Sequence, residues 1–129
     1  MKVLIVADVL PTANSGAAGT DYLGASALQF CGVDVDCIWG DQLSRMIRHY
    51  NSRYLLELPF AYRSAVVKAL RNRHYDVVQV SQPHGYLAAK YVAKHKPETI
   101  FVHRSHGFES RVSDVLKPWI AKYAERRSV

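Results

Sequence analysis

Two histidines three residues apart, His103 and His106, come nearest in type and spacing to residues that do chemistry. They lie in His103-Arg104-Ser105-His106-Gly107-Phe108-Glu109, directly after the apolar run Thr99-Ile100-Phe101-Val102. A neutral imidazole can donate and accept hydrogen bonds and changes charge near neutrality, so it suits a proton shuttle or a donor to a reacting group. Alternation along a strand gives His103 a different facing from His106. His106-Gly107 opens the loop proper, which makes His106 the candidate catalytic residue. Glu109 is spaced to orient it or to bind a hydroxyl, and Gly107 suits a close ligand approach. The alternative for His106 is a loop cap bonded to backbone. Zinc would need three or four ligands, and no cysteine or acid is placed to complete such a set, so no metal is expected.

A second loop follows the first apolar run, Met1-Lys2-Val3-Leu4-Ile5-Val6-Ala7-Asp8. It reads Asn14-Ser15-Gly16-Ala17-Ala18-Gly19-Thr20 and leads into a helix. The free N–H groups of a helix start attract anions, and glycines allow close approach, so Ser15, Gly16, Gly19 and Thr20 are candidate binding residues. The spacing is Gly-x-x-Gly. It matches neither the dinucleotide fingerprint, which has a third glycine, nor a Walker A loop with its Gly-Lys-Ser/Thr. A plain strand-to-helix turn explains it equally well. His84, after Gln82-Pro83, and Arg104, at the ends of two further runs, are further candidate binding residues, and His84 either reaches a crevice or merely starts the next helix beside Gly85.

The elements that must position these residues alternate between strand and helix. Apolar runs at 2–8, 33–39, 75–81 and 99–103 read as strands, with Val33, Val35, Cys37 and Trp39 on one face of the second. Leu23, Ala27, Phe30 and Cys31 recur at helical spacing and predict the buried face of a first helix that Gly32 stops. A second helix runs from Pro59 to about Asn72, with Pro59 in its first turn, and a third from Tyr86 to His95. Residues 40–58 read poorly, although Leu43, Met46, Ile47 and Tyr50 could line one helical face. Val112, Val115, Leu116, Trp119, Ile120 and Tyr123 predict a final amphipathic helix, kinked or restarted at Pro118. Such alternation argues a parallel sheet with helices on both faces, whose ligands bind beyond the carboxyl ends of the strands. The expected strand order is 3-2-1-4-5 or a truncated form, with the first strand central.

The 129 residues fit one domain, 49% hydrophobic and 22% charged, as is ordinary for a globular protein. No apolar run approaches the roughly 18 residues of a membrane span. Cys31 and Cys37 read as core residues with no disulfide expected. Seventeen cations against 11 carboxylates give a net charge of +6, with Arg45, Arg48, His49 and Arg53 forming one basic stretch. Such a balance suits nucleic acid, an anionic membrane surface or phosphorylated ligands. No basic stripe interleaved with aromatics stands out, so nucleic acid is not expected.

Three segments together resemble the N-terminal domain of retaining family-4 glycosyltransferases of the GT-B fold. They are Met1–Asp8 with the Gly16–Gly19 loop, the stretch from Asp76 through Ser81, His84 and Gly85 to Ala89, and Arg104 to Glu109. The resemblance implies an α/β, Rossmann-like parallel sheet, the N-terminal half of a GT-B architecture. It implies one acceptor-side domain over residues 1–129, with the domain that grips the nucleotide-sugar absent from this chain and the isolated chain inactive. It further implies a cytoplasmic transferase without cofactor or metal, moving a sugar from a nucleotide-sugar donor to a sugar or lipid-linked acceptor. Gly16 and Gly19 would match the loop that meets acceptor and diphosphate, and His106 the histidine near the reacting centre. Gln79 and Ser81 stand where family members commonly carry His-x-His, so no histidine role transfers there. Weak association with the inner membrane surface and self-association, through Trp119, Ile120 and Tyr123, remain open. So do two readings from other classes: a stand-alone Rossmann-like module for a small phosphorylated ligand, and a subunit that pairs with a separate partner. An oxidoreductase is disfavoured by the missing third glycine.

Overall fold

In the computed structural model, residues 1–14, 16–81, 84–105 and 117–118 are described. Four strands, β1 (Lys2–Val6), β2 (Asp34–Ile38), β3 (Val77–Ser81) and β4 (Ile100–Arg104), form one sheet in the order β2-β1-β3-β4. Every pairing is parallel. This is a Rossmann-like α/β fold with β1 inside the sheet, as the unbroken apolar run of its sequence implies. The order is 3-2-1-4-5 without the strand that would flank β2, and equally the first four strands of 2-1-3-4-5.

Alternation along β1 divides the core in two. Val3 and Ile5 face α1 (Gly16–Phe30) and pack with Ala25 and Val35. Leu4 and Val6 face the other way and join Val78 and Val80 beneath α3 (Leu58–Asn72) and α4 (Tyr86–His95), where Tyr62, Val66, Ala88 and Val92 are fully enclosed. Pro59 sits in the first turn of α3, where its missing N–H costs nothing. Gly32, at φ +83°, takes the left-handed conformation that stops α1.

The face of α1 is reversed from expectation. Leu23 and Cys31 are exposed and Phe30 is 93% exposed, while Ala18, Asp21 and Ala25 are buried with Leu28 half-buried. The helix approaches the sheet through its small residues, and the larger apolar repeat is left in solvent. Cys31 is therefore an exposed thiol and not a core residue; Cys37 is half-buried on β2, and both are free. Burial pushes the Cys37 thiol up, and the nearby Asp36 and Asp21 carboxylates add to the shift.

The stretch that read poorly is a 3-10 turn (Gly40–Gln42), a loop, and then a helical run of three parts. These are α2 (Tyr50–Ser52), a π-helical turn (Arg53–Glu57) and α3. The wide turn breaks the 3.6-residue period, so no single face could be read across it. Leu43 is core, but Met46 is fully outward and shares no helical face with it. The expected final helix lies, apart from Lys117 and Pro118, outside the described residues.

Candidate functional site

Parallel strands deliver four chain ends to one edge of the sheet: Asp8 after β1, Gly40 after β2, Ser81 and His84 after β3, and Arg104 closing β4. The start of α1 at Gly16 follows β1, so it opens from the same edge. Two connected hollows occupy the edge and share Asp8, Val9 and Tyr50. One, of about 430 Å3, is lined further by Gly40, Asp41 and Arg45. The other, of about 150 Å3, lies between Tyr54, Tyr62, Ser81 and His84. A larger groove of about 510 Å3 runs between the 3-10 turn and α3, with Lys68 and Arg71 as its charged lining. It contains no carboxylate or imidazole, so the acid-base chemistry belongs at the strand ends.

Asp8 is held from two sides. Its backbone N–H donates to the Tyr62 hydroxyl oxygen at 2.7 Å, and Oδ2 lies 3.3 Å from Nη1 of the buried Arg53. Burial pushes the Tyr62 phenol far up, the Asp8 N–H opposing the shift, so the ring stays neutral. Arg53 turns inward because the π-helical turn aims it there. It also donates through Nη2 to the Ser44 carbonyl at 3.3 Å and stands 3.8 Å from Glu57. Glu57 accepts the backbone N–H groups of Met46 and Ile47 at 2.8 and 2.6 Å. Burial opposes its ionisation, but those two donors and the Arg53 and Arg45 charges outweigh it and hold the carboxyl below its ordinary range. Arg53 and Glu57 thus strap the loop after the 3-10 turn against the helix, and Arg53 with Asp8 shapes the wall of the larger hollow.

His84 is buried, its ring edge-on to Tyr54 at 4.2 Å and stacked on Tyr62 at 5.9 Å. It both precedes the first turn of α4 and lines the hollow, so the two readings of this residue coincide. His103 packs elsewhere: its ring meets Phe101 edge-on at 5.0 Å and occupies the space that Gly85 leaves by having no side chain.

A second cluster ties α1 to the far strands. Asp21 is fully buried, accepts from the Ser81 hydroxyl at 3.4 Å and lies 3.3 Å from Arg104 Nη1. Arg104 passes over Gly24, where a side chain would crowd its guanidinium. The residue singled out for binding is therefore also a latch between β4 and α1.

The Gly-containing loop divides likewise. Gly16 is exposed with open space before it, whereas Gly19 is buried against the backbone of Ala13. A side chain at Gly19 would come within 2.9 Å of the Ala13 carbonyl oxygen, so the loop's own tight turn requires that glycine. Thr20 is exposed and its hydroxyl donates to the Gly16 carbonyl at 2.7 Å, capping nothing beyond its own helix. Ser15, His106, Gly107 and Glu109 lie outside the described residues. Among the described residues, no three His, Cys, Asp or Glu side chains come together as a metal site, and no helix is long and apolar enough to cross a membrane.

Sequence reasoning named His84, Gly16 and Arg104 at this edge but missed Asp8, Tyr54, Tyr62, Asp21 and Arg53. Asp8 carried a local signal, a carboxylate ending a buried strand. Asp21 carries no local signal, being one polar residue within a helix, and Arg53 belongs to what the sequence shows only as a basic stretch. Comparison with models of known protein families, with curated proteins and with solved structures finds no match.

Proposed function

We propose that this chain is the acceptor-side domain of a retaining glycosyltransferase, moving a sugar from a nucleotide-sugar to a hydroxyl-bearing acceptor. The observation that supports it best is the pair of hollows at the carboxyl edge of the sheet, lined by carboxylates, tyrosines and a buried histidine. Asp8 and Asp41 can accept hydrogen bonds from sugar hydroxyls, and tyrosine rings offer flat apolar faces to the ring carbons. Such a surface orients an acceptor, and orientation is much of what a transferase contributes. On this reading His106 serves the reacting centre, and a second domain, distinct from residues 1–129, grips the nucleotide-sugar. One domain forms one wall of the cleft, so residues 1–129 by themselves should bind acceptor weakly.

The reading is tested by titrating the chain with oligosaccharides and with uridine, guanosine and adenosine diphosphate sugars, followed by calorimetry and by the ring signals of Tyr54 and His84. Weak acceptor binding that shifts those rings and is lost in Asp8→Asn is the expected result. Submicromolar binding of a nucleotide-sugar would refute it. That outcome would favour a stand-alone module for a phosphorylated ligand, which the open start of α1 at Gly16 also suits.

A further inference from the structure

The charge of this molecule is concentrated in one segment. Residues 43–75 hold seven of the 17 cations and one of the 11 carboxylates, which leaves ten of each in the rest of the chain. The whole net charge of +6 therefore belongs to the stretch running through α2, the π-helical turn and α3. Its one carboxylate, Glu57, is turned inward onto Arg53 and two backbone N–H groups, so what the segment shows to solvent is positive.

The same stretch carries apolar side chains that the fold does not use. Met46, Tyr50, Leu55, Leu56 and Phe60 are each 64–89% exposed. Leu56 and Phe60 are one helical turn apart and share a face. Leu55 and Leu56 project outward from the π-helical turn between the inward-facing Arg53 and Glu57. Met46 is held beside that turn by its backbone bond to Glu57 at 2.8 Å. Arg45, Arg48 and Arg63, all exposed, flank this apolar group along the chain.

We infer that this face rests on an anionic lipid surface, with the apolar side chains entering the headgroup boundary and the arginines meeting lipid phosphates. An exposed apolar face with cations and, within residues 43–75, no outward-facing acid is the pattern of interfacial helices, the exposed Asp41 lying beside Arg45 in the hollow behind it. Protein interfaces are also rich in Tyr, Phe, Met and Arg, but a segment that carries the whole net charge of +6 complements an extended anionic surface better than one bounded partner. The inference stands on charge and exposure alone and does not need the glycosyl-transfer reading.

The test is co-sedimentation of the full chain with vesicles of phosphatidylcholine alone and of an equal mixture with phosphatidylglycerol. Binding to the mixture and not to phosphatidylcholine alone is expected, falling steeply as salt is raised from about 0.1 M to about 1 M. Each cation near such a surface contributes about fivefold in partitioning, so Arg48→Glu and Arg63→Glu should each lower it by at least about that factor. Leu56→Ser with Phe60→Ser should lower it by roughly tenfold or more, with the circular dichroism spectrum and melting temperature unchanged. Equal binding to both vesicle types, no binding to either, or variants that bind like the parent would overturn the inference. So would light scattering that shows a dimer without lipid that the apolar substitutions dissolve, since the face would then belong to a second copy.

Discussion

Substituting alanine for Gly16 and for Gly19 applies one chemical change twice to one helix and should give opposite signs. Neither glycine adopts the left-handed conformation that would forbid a side chain. Alanine at Gly16 meets open space, so the gain is conformational, about 0.5 kcal/mol from the narrower unfolded ensemble. Alanine at Gly19 would gain up to about 1 kcal/mol of helix propensity. Against that, its Cβ would stand 2.9 Å from the Ala13 carbonyl oxygen and 3.3 Å from the carbonyl carbon. Carbon contacts are most favourable at about 3.5–4.0 Å. Both atoms are backbone, so no rotamer change relieves the contact and the turn before α1 must move. Overpacking of that kind costs roughly 1–3 kcal/mol, which outweighs the propensity gain.

The net expectation is a loss of about 1 kcal/mol for Gly19→Ala and a gain of about 0.5 kcal/mol for Gly16→Ala. In a domain of this size the two melting temperatures should differ by roughly 6 °C. Urea unfolding followed by far-ultraviolet circular dichroism measures both, and the common substitution cancels most of the unfolded-state contribution. A Gly19→Ala protein as stable as the parent would refute the reasoning. The Ala13 carbonyl would then yield freely, and the place of Gly19 would have to be explained by a ligand. Gly16→Ala separates the two roles, since it should weaken ligand binding at the helix start while leaving the fold slightly firmer.

Removing Arg104 as alanine takes the cation from a fully buried carboxylate, Asp21, and should cost about 3 kcal/mol in urea unfolding; a loss under 1 kcal/mol would mean that the latch to α1 is idle. Tyr62→Phe deletes the acceptor of the Asp8 N–H and should cost about 1 kcal/mol, with weaker acceptor binding as Asp8 loses its support. Phe30→Ser should leave stability within about 0.5 kcal/mol, whereas Val66→Ala should lose about 2 kcal/mol; equal losses would put the wrong face of α1 against the sheet. Acid should loosen the fold through Asp36, Asp76 and Glu57. The Tyr75 hydroxyl, at 2.6 Å, and then Arg73 hold Asp36 low, and the Lys2 backbone N–H does the same for Asp76. Depressed carboxyls contribute fully above their ordinary values of 3.8 and 4.5 and lose that contribution as pH falls through their folded values. The melting temperature should therefore be flat near neutrality and drop below about pH 4.5, with amide exchange of Met46 and Ile47 rising as Glu57 takes up its proton; a maximum in the acid range would contradict the sign.

What could be read from the sequence was whatever the chain states locally. An apolar run buried on both faces has few interpretations, so β1 and β3 stood out, and proline and glycine punctuated α3 and α4. The face of α1 was misread because periodicity weighs large apolar residues, while close packing on a sheet selects small ones. Ala18 and Ala25 carry the contact, and Leu23 and Phe30 carry the signal. The π-helical turn defeated the reading for a different reason, since one widened turn changes which residues share a face on either side of it. The site was legible only near the chain ends that follow strands, as at His84, Arg104 and Gly16, and Asp8 went unread although it carries the same local signal. Its remaining parts depend on contacts far apart in sequence: Tyr62 reaches Asp8 across 54 residues and Ser81 reaches Asp21 across 60. Charge behaves differently, because it adds along the chain without knowledge of the fold. The basic stretch at Arg45, Arg48 and Arg53 could be seen at once, but its meaning required the structure to remove Arg53 and Glu57 as a buried pair. That one pair stands behind two surfaces. On its inner side it fixes Asp8 and the wall of the cleft, and on its outer side it leaves Leu55, Leu56 and the exposed arginines facing solvent. If both proposals hold, an acceptor carried on a lipid would approach across that outer face, and breaking the pair should weaken acceptor binding and vesicle binding together.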